Sequence, residues 1–104
     1  MLVSLDILKD IVAHRPLYYT AHAQEQMALR RILDAEVRET MLGQSAGIIE
    51  QYPEDKYSPS CLIYGVTRQG RILHVQANNQ ALIVTVYEPD LNKWHDDFKT
   101  RRGL

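Results

Sequence analysis

Residues 61–87 read CLIYGVTRQGRILHVQANNQALIVTVY. Three runs in this stretch are rich in β-branched and aromatic residues, and two short polar segments separate them. We therefore predict β-strands over residues 61–67, 71–77 and 81–87, with turns at residues 69–70 and 78–80. Because strands joined by short turns pair with each other, this half of the chain is expected to form an antiparallel meander.

The preceding residues have a different pattern, with apolar side chains at helical spacing. Helices are predicted over about residues 5–14, over about residues 20–31 with Thr20 as N-cap, and from an N-cap at Asp34 to a stop at Gly43. Residues 47–52 form a further predicted strand. The sequence thus predicts an α+β fold in which two or three N-terminal helices pack on one face of a four-stranded antiparallel sheet.

Length and composition limit the organisation of the chain. With 104 residues, of which 45% are hydrophobic and 24% charged, it is predicted to form a single domain over residues 1–104. Cys61 is the only cysteine, so no intramolecular disulfide is possible and the ligand spacings of structural zinc are missing. We expect no metal and no cofactor.

Targeting signals are also missing from the pattern. Asp6 interrupts the N-terminal apolar residues, which makes a poor secretory signal, and no run approaches the roughly 18 apolar residues of a membrane span. A cytoplasmic protein without a membrane partner is therefore expected. The formal net charge of −1 argues against nucleic-acid binding by overall positive charge, so any RNA contact must come from a local patch.

Alternation along the strands predicts two different sheet faces. If both turns contain two residues, one face is almost wholly apolar and packs on the helices; it holds Leu62, Tyr64, Val66, Leu73, Val75, Leu82, Val84 and Val86. The other face holds Cys61, Ile63, Gly65, Thr67, Ile72, His74, Gln76, Ile83, Thr85 and Tyr87. In this register Gly65 lies opposite His74 and leaves room for a ligand beside the imidazole. The alternative is an ordinary solvent-facing side of the sheet.

Several short motifs occur in a characteristic order between about residues 18 and 102. They are Thr20-x-His22-Ala23-x-x-x-Met27-x-x-Arg30-x-Ile32, Tyr52-Pro53, Pro59-Ser60-Cys61-Leu62, His74-Val75, Thr85-Val86-Tyr87-Glu88-Pro89-Asp90, Trp94, Phe98 and Arg101-Arg102. With these motifs in this order, the chain resembles the bacterial family known as domain of unknown function 4258. It departs from the family pattern at Gln26, where arginine is usual, and at Arg31, where glycine is usual.

The resemblance implies a fold similar to that of the RelE-type and barnase-like toxin ribonucleases. It also implies a toxin of a type II toxin–antitoxin system whose partner is a zinc-finger antitoxin of the MqsA or YgiT kind. The expected reaction is metal-independent RNA cleavage, in which the ribose 2′-hydroxyl attacks the adjacent phosphate. The alternatives are a toxin of the same fold that binds a protein target without nuclease chemistry, and a plain interaction module.

RNA cleavage of this kind needs a base, an acid and cations around the phosphate. We assign proton transfer to His74 and His22, phosphate binding to Arg30, and hydrogen bonding or base stacking to Tyr87. The expected substrate-binding residues are Arg101, Arg102, Lys99 and Trp94. Each has a structural alternative: a histidine that bonds a nearby loop, an arginine in an ion pair, an edge tyrosine, or a tryptophan that, together with Phe98, anchors the polar C-terminal tail after Pro89.

Overall fold

The computed structural model describes residues 2–56 and 58–103. The elements are α1 (Leu5–His14), β1 (Tyr18–Tyr19), α2 (Ala21–Arg30), α3 (Asp34–Leu42), β2 (Gly47–Tyr52), β3 (Ser60–Val66), β4 (Ile72–Asn78) and β5 (Leu82–Tyr87). The strands form one sheet in the order β1-β5-β4-β3-β2. The three predicted helices and the four predicted strands are confirmed to within one or two residues, and the fold is α+β.

The sheet has five strands and is mixed, so the prediction of four antiparallel strands was wrong. β1 pairs in parallel with β5, with Tyr18 opposite Leu82 and Tyr19 opposite Ile83. Thr20 continues this edge, since its backbone N–H donates to the Ile83 carbonyl at 3.0 Å. A two-residue strand is too short to show an alternating pattern, and its partner lies near the other end of the sequence.

Two of the three helices begin as predicted or close to it. Ser4 caps α1, and the Thr20 hydroxyl accepts a hydrogen bond from the Ala23 backbone N–H at 3.1 Å at the start of α2. The predicted cap of α3 was wrong by one residue. Leu33 is the N-cap and has no side-chain acceptor for the free N–H groups of the first turn. Its own N–H donates to the Glu36 carboxylate at 3.0 Å, which is one half of a capping box.

The turn between β3 and β4 has three residues, where two were predicted. The Thr67 N–H donates to the Arg71 carbonyl at 2.8 Å, which closes a loop over residues 68–70. Gly70 has φ +87°, the left-handed conformation that three-residue hairpins use at their last position. The extra residue shifts the register by one, so Tyr64 lies opposite His74 and Gly65 lies opposite Leu73.

This shift inverts the predicted faces of β3. Cys61, Ile63 and Gly65 face the helices, together with Leu73 and Val75, which were placed correctly. Gly65 leaves no room for a ligand, because a Cβ there would lie 2.3 Å from the Thr40 carbonyl oxygen of α3. The glycine instead allows α3 to approach the sheet closely.

The opposite side of the sheet, here called the site face, carries Tyr64, His74, Gln76, Thr85 and Tyr87. Leu62 also lies on it, opposite Gln76. A β-bulge between Thr85 and Ile83 turns Ile83 into the core, where it is fully buried, although it was predicted on the polar side.

Within the described parts of the chain, each helix is too short or too polar to cross a bilayer.

Candidate functional site

The C-terminal tail, residues 90–103, folds back over the site face. Within the tail, Trp94 and Arg101 form an isolated antiparallel bridge, and the His95 N–H donates to the Thr100 carbonyl at 2.9 Å. Trp94 is only 1% exposed. The predicted anchoring role of this tryptophan is therefore the one it has in the fold, and its ring is not free to stack on a base.

His74 lies beneath this tail and is fully buried. Its Nε2 is 2.6 Å from the Phe98 carbonyl oxygen and its Nδ1 is 3.2 Å from the Tyr87 hydroxyl. The Trp94 ring packs edge-on against the imidazole with 4.4 Å between centroids. Burial lowers the pKa of His74 below its ordinary value, against the opposing effect of the Phe98 carbonyl. The imidazole is thus neutral, and each of its two nitrogens has a hydrogen-bond partner.

A cleft of about 690 Å³ opens beside this histidine, between α2, the end of β5 and the tail. It is lined by His22, Gln26, Arg30, Thr85, Tyr87, Glu88, Pro89, Asp90, Lys93, Trp94 and Arg101. Five of the eight predicted site residues therefore share one cleft, namely His22, Arg30, Tyr87, Trp94 and Arg101. They come from three separate segments that only the folded chain brings together.

The other three predicted site residues lie outside the cleft. His74 is separated from it by Tyr87 and Trp94, so its predicted role in proton transfer would have to pass through Tyr87. The Lys99 ammonium lies 4.8 Å from the centre of the Tyr64 ring. Arg102 donates to the Leu91 carbonyl and lies 3.8 Å from the Asp96 carboxylate, within the tail itself.

The cations of the cleft differ in how they are paired. Arg101 binds the Glu50 carboxylate at 2.7 and 3.1 Å, and its guanidinium lies 4.6 Å above the Trp94 ring. Burial raises the pKa of Glu50, but the hydrogen bonds from Arg101 and Tyr52 outweigh it and leave this pKa below its ordinary value. Arg101 is therefore a structural cation that holds the tail to β2.

Arg30 and Lys93 are exposed, and neither side chain has an ion pair or hydrogen bond among the described residues. The acids of the cleft are engaged elsewhere: Glu88 accepts from Arg71 at 2.9 Å, and Asp90 accepts from the Asn92 N–H at 2.9 Å. Two uncommitted positive charges thus border the cleft, an arrangement suited to an anionic ligand.

Sequence reasoning did not include Gln26 and Lys93 among the site residues. Gln26 lies one turn after His22 and one turn before Arg30, so all three side chains lie on one side of α2. That spacing was a usable signal. Nothing in the local sequence distinguishes Lys93 from Lys99, because only the path of the tail decides which lysine reaches the cleft. No cluster of His, Cys, Asp and Glu side chains able to hold a metal ion occurs within residues 2–56 and 58–103.

Residues 19–88 match the family described as Domain of unknown function (DUF4258). The chain belongs to this family. No curated protein and no solved structure matches the chain significantly. In this DUF4258 protein the matched segment supplies His22, Arg30 and Tyr87 to the cleft, and the tail beyond it supplies Lys93 and Arg101.

Proposed function

We propose that this DUF4258 protein is an endoribonuclease that cleaves RNA without a metal, and that it is the toxin of a type II toxin–antitoxin pair. The observation that carries the proposal is the cleft in which His22 and Tyr87 lie with two uncommitted cations, Arg30 and Lys93. Attack by a 2′-hydroxyl on phosphate requires groups that transfer protons and positive charges around the phosphate, and an imidazole and two cations are suited to these roles.

In the proposed reaction Arg30 and Lys93 bind the phosphate and offset the negative charge that develops on it. The 2′-oxygen forms a bond to phosphorus while the bond from phosphorus to the 5′-oxygen breaks. The 2′-hydroxyl loses its proton and the leaving 5′-oxygen gains one. His22, which is exposed within the cleft, exchanges a proton with one of these oxygens, and a solvent water molecule exchanges a proton with the other. Burial raises the pKa of Tyr87, so its hydroxyl stays protonated and acts through hydrogen bonds.

The wider proposal includes fold relatives, location and partner. A RelE-type or barnase-like arrangement, with helices on one face of the sheet and the RNA site on the other, is compatible with the helices and the cleft described above. RNA is the proposed substrate, in the cytoplasm, and a zinc-finger antitoxin of the MqsA or YgiT kind is the proposed inhibitor. Such an inhibitor would be expected to shield Arg30 and Lys93 from RNA.

The test is an RNA-cleavage assay with purified protein and its Arg30→Ala variant. Loss of a charged hydrogen bond of about 1.5–3 kcal/mol predicts that the rate falls roughly 10- to 150-fold. Arg15→Ala is the matched control, because Arg15 is exposed and lies outside the cleft. Absence of cleavage by the wild-type protein, or equal rates for Arg30→Ala and wild type, would reject the nuclease.

A second candidate is a toxin or interaction module that binds a protein target without cleaving RNA. The net charge of −1 and the presence of Glu88 and Asp90 in the cleft favour it. Expression in bacteria separates the two proposals. Growth arrest with intact RNA, relieved by Arg30→Ala, would support a protein target, whereas arrest accompanied by RNA fragments would support the nuclease.

A further inference from the structure

The positions of the hydrogen atoms around His74 follow from its two partners. The Phe98 carbonyl can only accept, so the short 2.6 Å contact requires a hydrogen on Nε2. A neutral imidazole carries one hydrogen, and Nδ1 is therefore an acceptor. Its partner at 3.2 Å is the Tyr87 hydroxyl, which has to be the donor.

This arrangement is held in place from several sides. His74 is fully buried, with Trp94 edge-on against one side and Tyr64 and Tyr87 at centroid distances of 6.3 and 5.3 Å. The charged groups that act on the imidazole are Glu50 and Arg101, whose effects are opposite in sign and which are paired with each other. Neither a rotation of the ring nor a change of its charge is favoured while the tail is in place.

The Tyr87 hydroxyl has a single hydrogen, and it donates this hydrogen to His74 Nδ1 in a hydrogen bond. Tyr87 also lines the cleft, so a ligand that reaches this hydroxyl meets lone pairs and no donor. The ligand must supply the hydrogen. Beside a phosphate bound by Arg30 and Lys93, a ribose 2′-hydroxyl supplies it, and a deoxyribose does not.

We infer that His74 is a positioning residue that fixes Tyr87 as a hydrogen-bond acceptor for the ribose 2′-hydroxyl, which makes the cleft selective for ribonucleotides over deoxyribonucleotides. The inference rests on the proposed RNA substrate and adds how that substrate is recognised. Selectivity for ribose does not require that the protein cleaves RNA.

The test measures binding and not cleavage, by NMR titration with each of the four nucleoside 3′-monophosphates in ribose, 2′-deoxyribose and 2′-O-methylribose form. These probes contain no phosphodiester to cut, and only the ribose form has a 2′-donor. One hydrogen bond predicts about fivefold tighter binding of the ribose form than of either analogue. Tyr87→Phe should abolish this preference. Tyr64→Phe should keep it, because Tyr64 is the neighbour of His74 on the opposite strand and lies outside the cleft.

A second readout tests the positioning directly. In ¹⁵N spectra the His74 ring should be neutral with hydrogen on Nε2, and Tyr87→Phe should shift the Nδ1 resonance while Nε2 keeps its hydrogen. Equal affinities for the three sugar forms, no binding of any of them, a preference that survives Tyr87→Phe, or a hydrogen on Nδ1 would each overturn the inference. A protein that prefers ribose through Tyr87 but does not cleave RNA would reject the proposed reaction and leave this inference standing.

Discussion

Replacement of Gly65 by alanine tests the register that decides which side chains reach the site face. In the observed register Gly65 points toward α3, and an added Cβ would lie 2.3 Å from the Thr40 carbonyl oxygen and 2.7 Å from Thr40 Cγ2. The nearest atom belongs to the helix backbone and cannot rotate away. β3 and α3 would have to separate by about 1 Å to restore an ordinary contact of 3.4 Å.

The expected cost follows from the packing and from the unfolded chain. Overpacking of a well-filled interior costs about 1–3 kcal/mol, and a backbone clash belongs at the upper end of that range. The lower entropy of the unfolded alanine chain returns about 0.4–1 kcal/mol. We therefore expect Gly65→Ala to lose about 2 kcal/mol of unfolding free energy, which corresponds to a fall in Tm of roughly 10 °C.

Urea unfolding, followed by far-ultraviolet circular dichroism, measures this loss directly. Gly47→Ala is the matched control, because Gly47 is also a strand glycine but an added Cβ there has no atom within 4 Å. Its stability should be unchanged or raised by up to about 1 kcal/mol.

The register would be refuted if Gly65→Ala were as stable as Gly47→Ala. That outcome would place Gly65 on the site face opposite His74, as a two-residue turn predicts. The alanine would then crowd the imidazole and lower ligand binding without loss of stability.

Two further predictions concern the buried histidine and the tail. Because burial lowers the pKa of His74, the unfolded chain takes up a proton near pH 6.5 that the folded chain does not. The free energy of unfolding is therefore highest above pH 6.5 and falls below that pH, by at most about 1.4 kcal/mol per pH unit. Urea titrations at pH 7.5 and 5.5 should show a smaller fall for His74→Gln than for the wild-type protein. Equal falls would contradict the assignment to His74. Arg101→Gln removes both the Glu50 pair and the cation over Trp94. As the pair is partly exposed, it contributes less than about 1 kcal/mol, so the free energy of unfolding should change little. The fluorescence emission of Trp94, the only tryptophan, should move to longer wavelength and become more sensitive to quenching by acrylamide. Unchanged emission and quenching would show that Arg101 does not hold the tail.

The helices and the central strands could be predicted because their signals are local. Thr20 caps α2 as its side chain and position indicate, and alternation along β4 correctly separates His74 from Leu73 and Val75. His22, Arg30 and Tyr87 were assigned to the site from the chemistry of the reaction that the family resemblance implied, and the fold brings these three residues into one cleft.

The predictions that failed depend on one residue or on distant parts of the chain. The sequence around Gly70 is compatible with a turn of two residues and with a turn of three. The two turn lengths place Gly65 on opposite faces of the sheet. β1 has two residues, and its pairing with β5 leaves no periodic pattern. The burial of His74 depends on the tail, whose polar composition does not predict that it covers a strand.

The amino-acid sequence by itself determined the three helices, the four longer strands, the family, and a set of basic and titratable residues on α2, β5 and the tail. These properties depend on caps, periodicity and motif order, which act over a few residues. Only the tertiary structure decided that Arg30 and Lys93 share a cleft and that His74 lies behind Tyr87. The physical reason is that chain register and tail docking are set by the packing of distant segments, where a difference of one residue in a turn reverses the face of an entire strand.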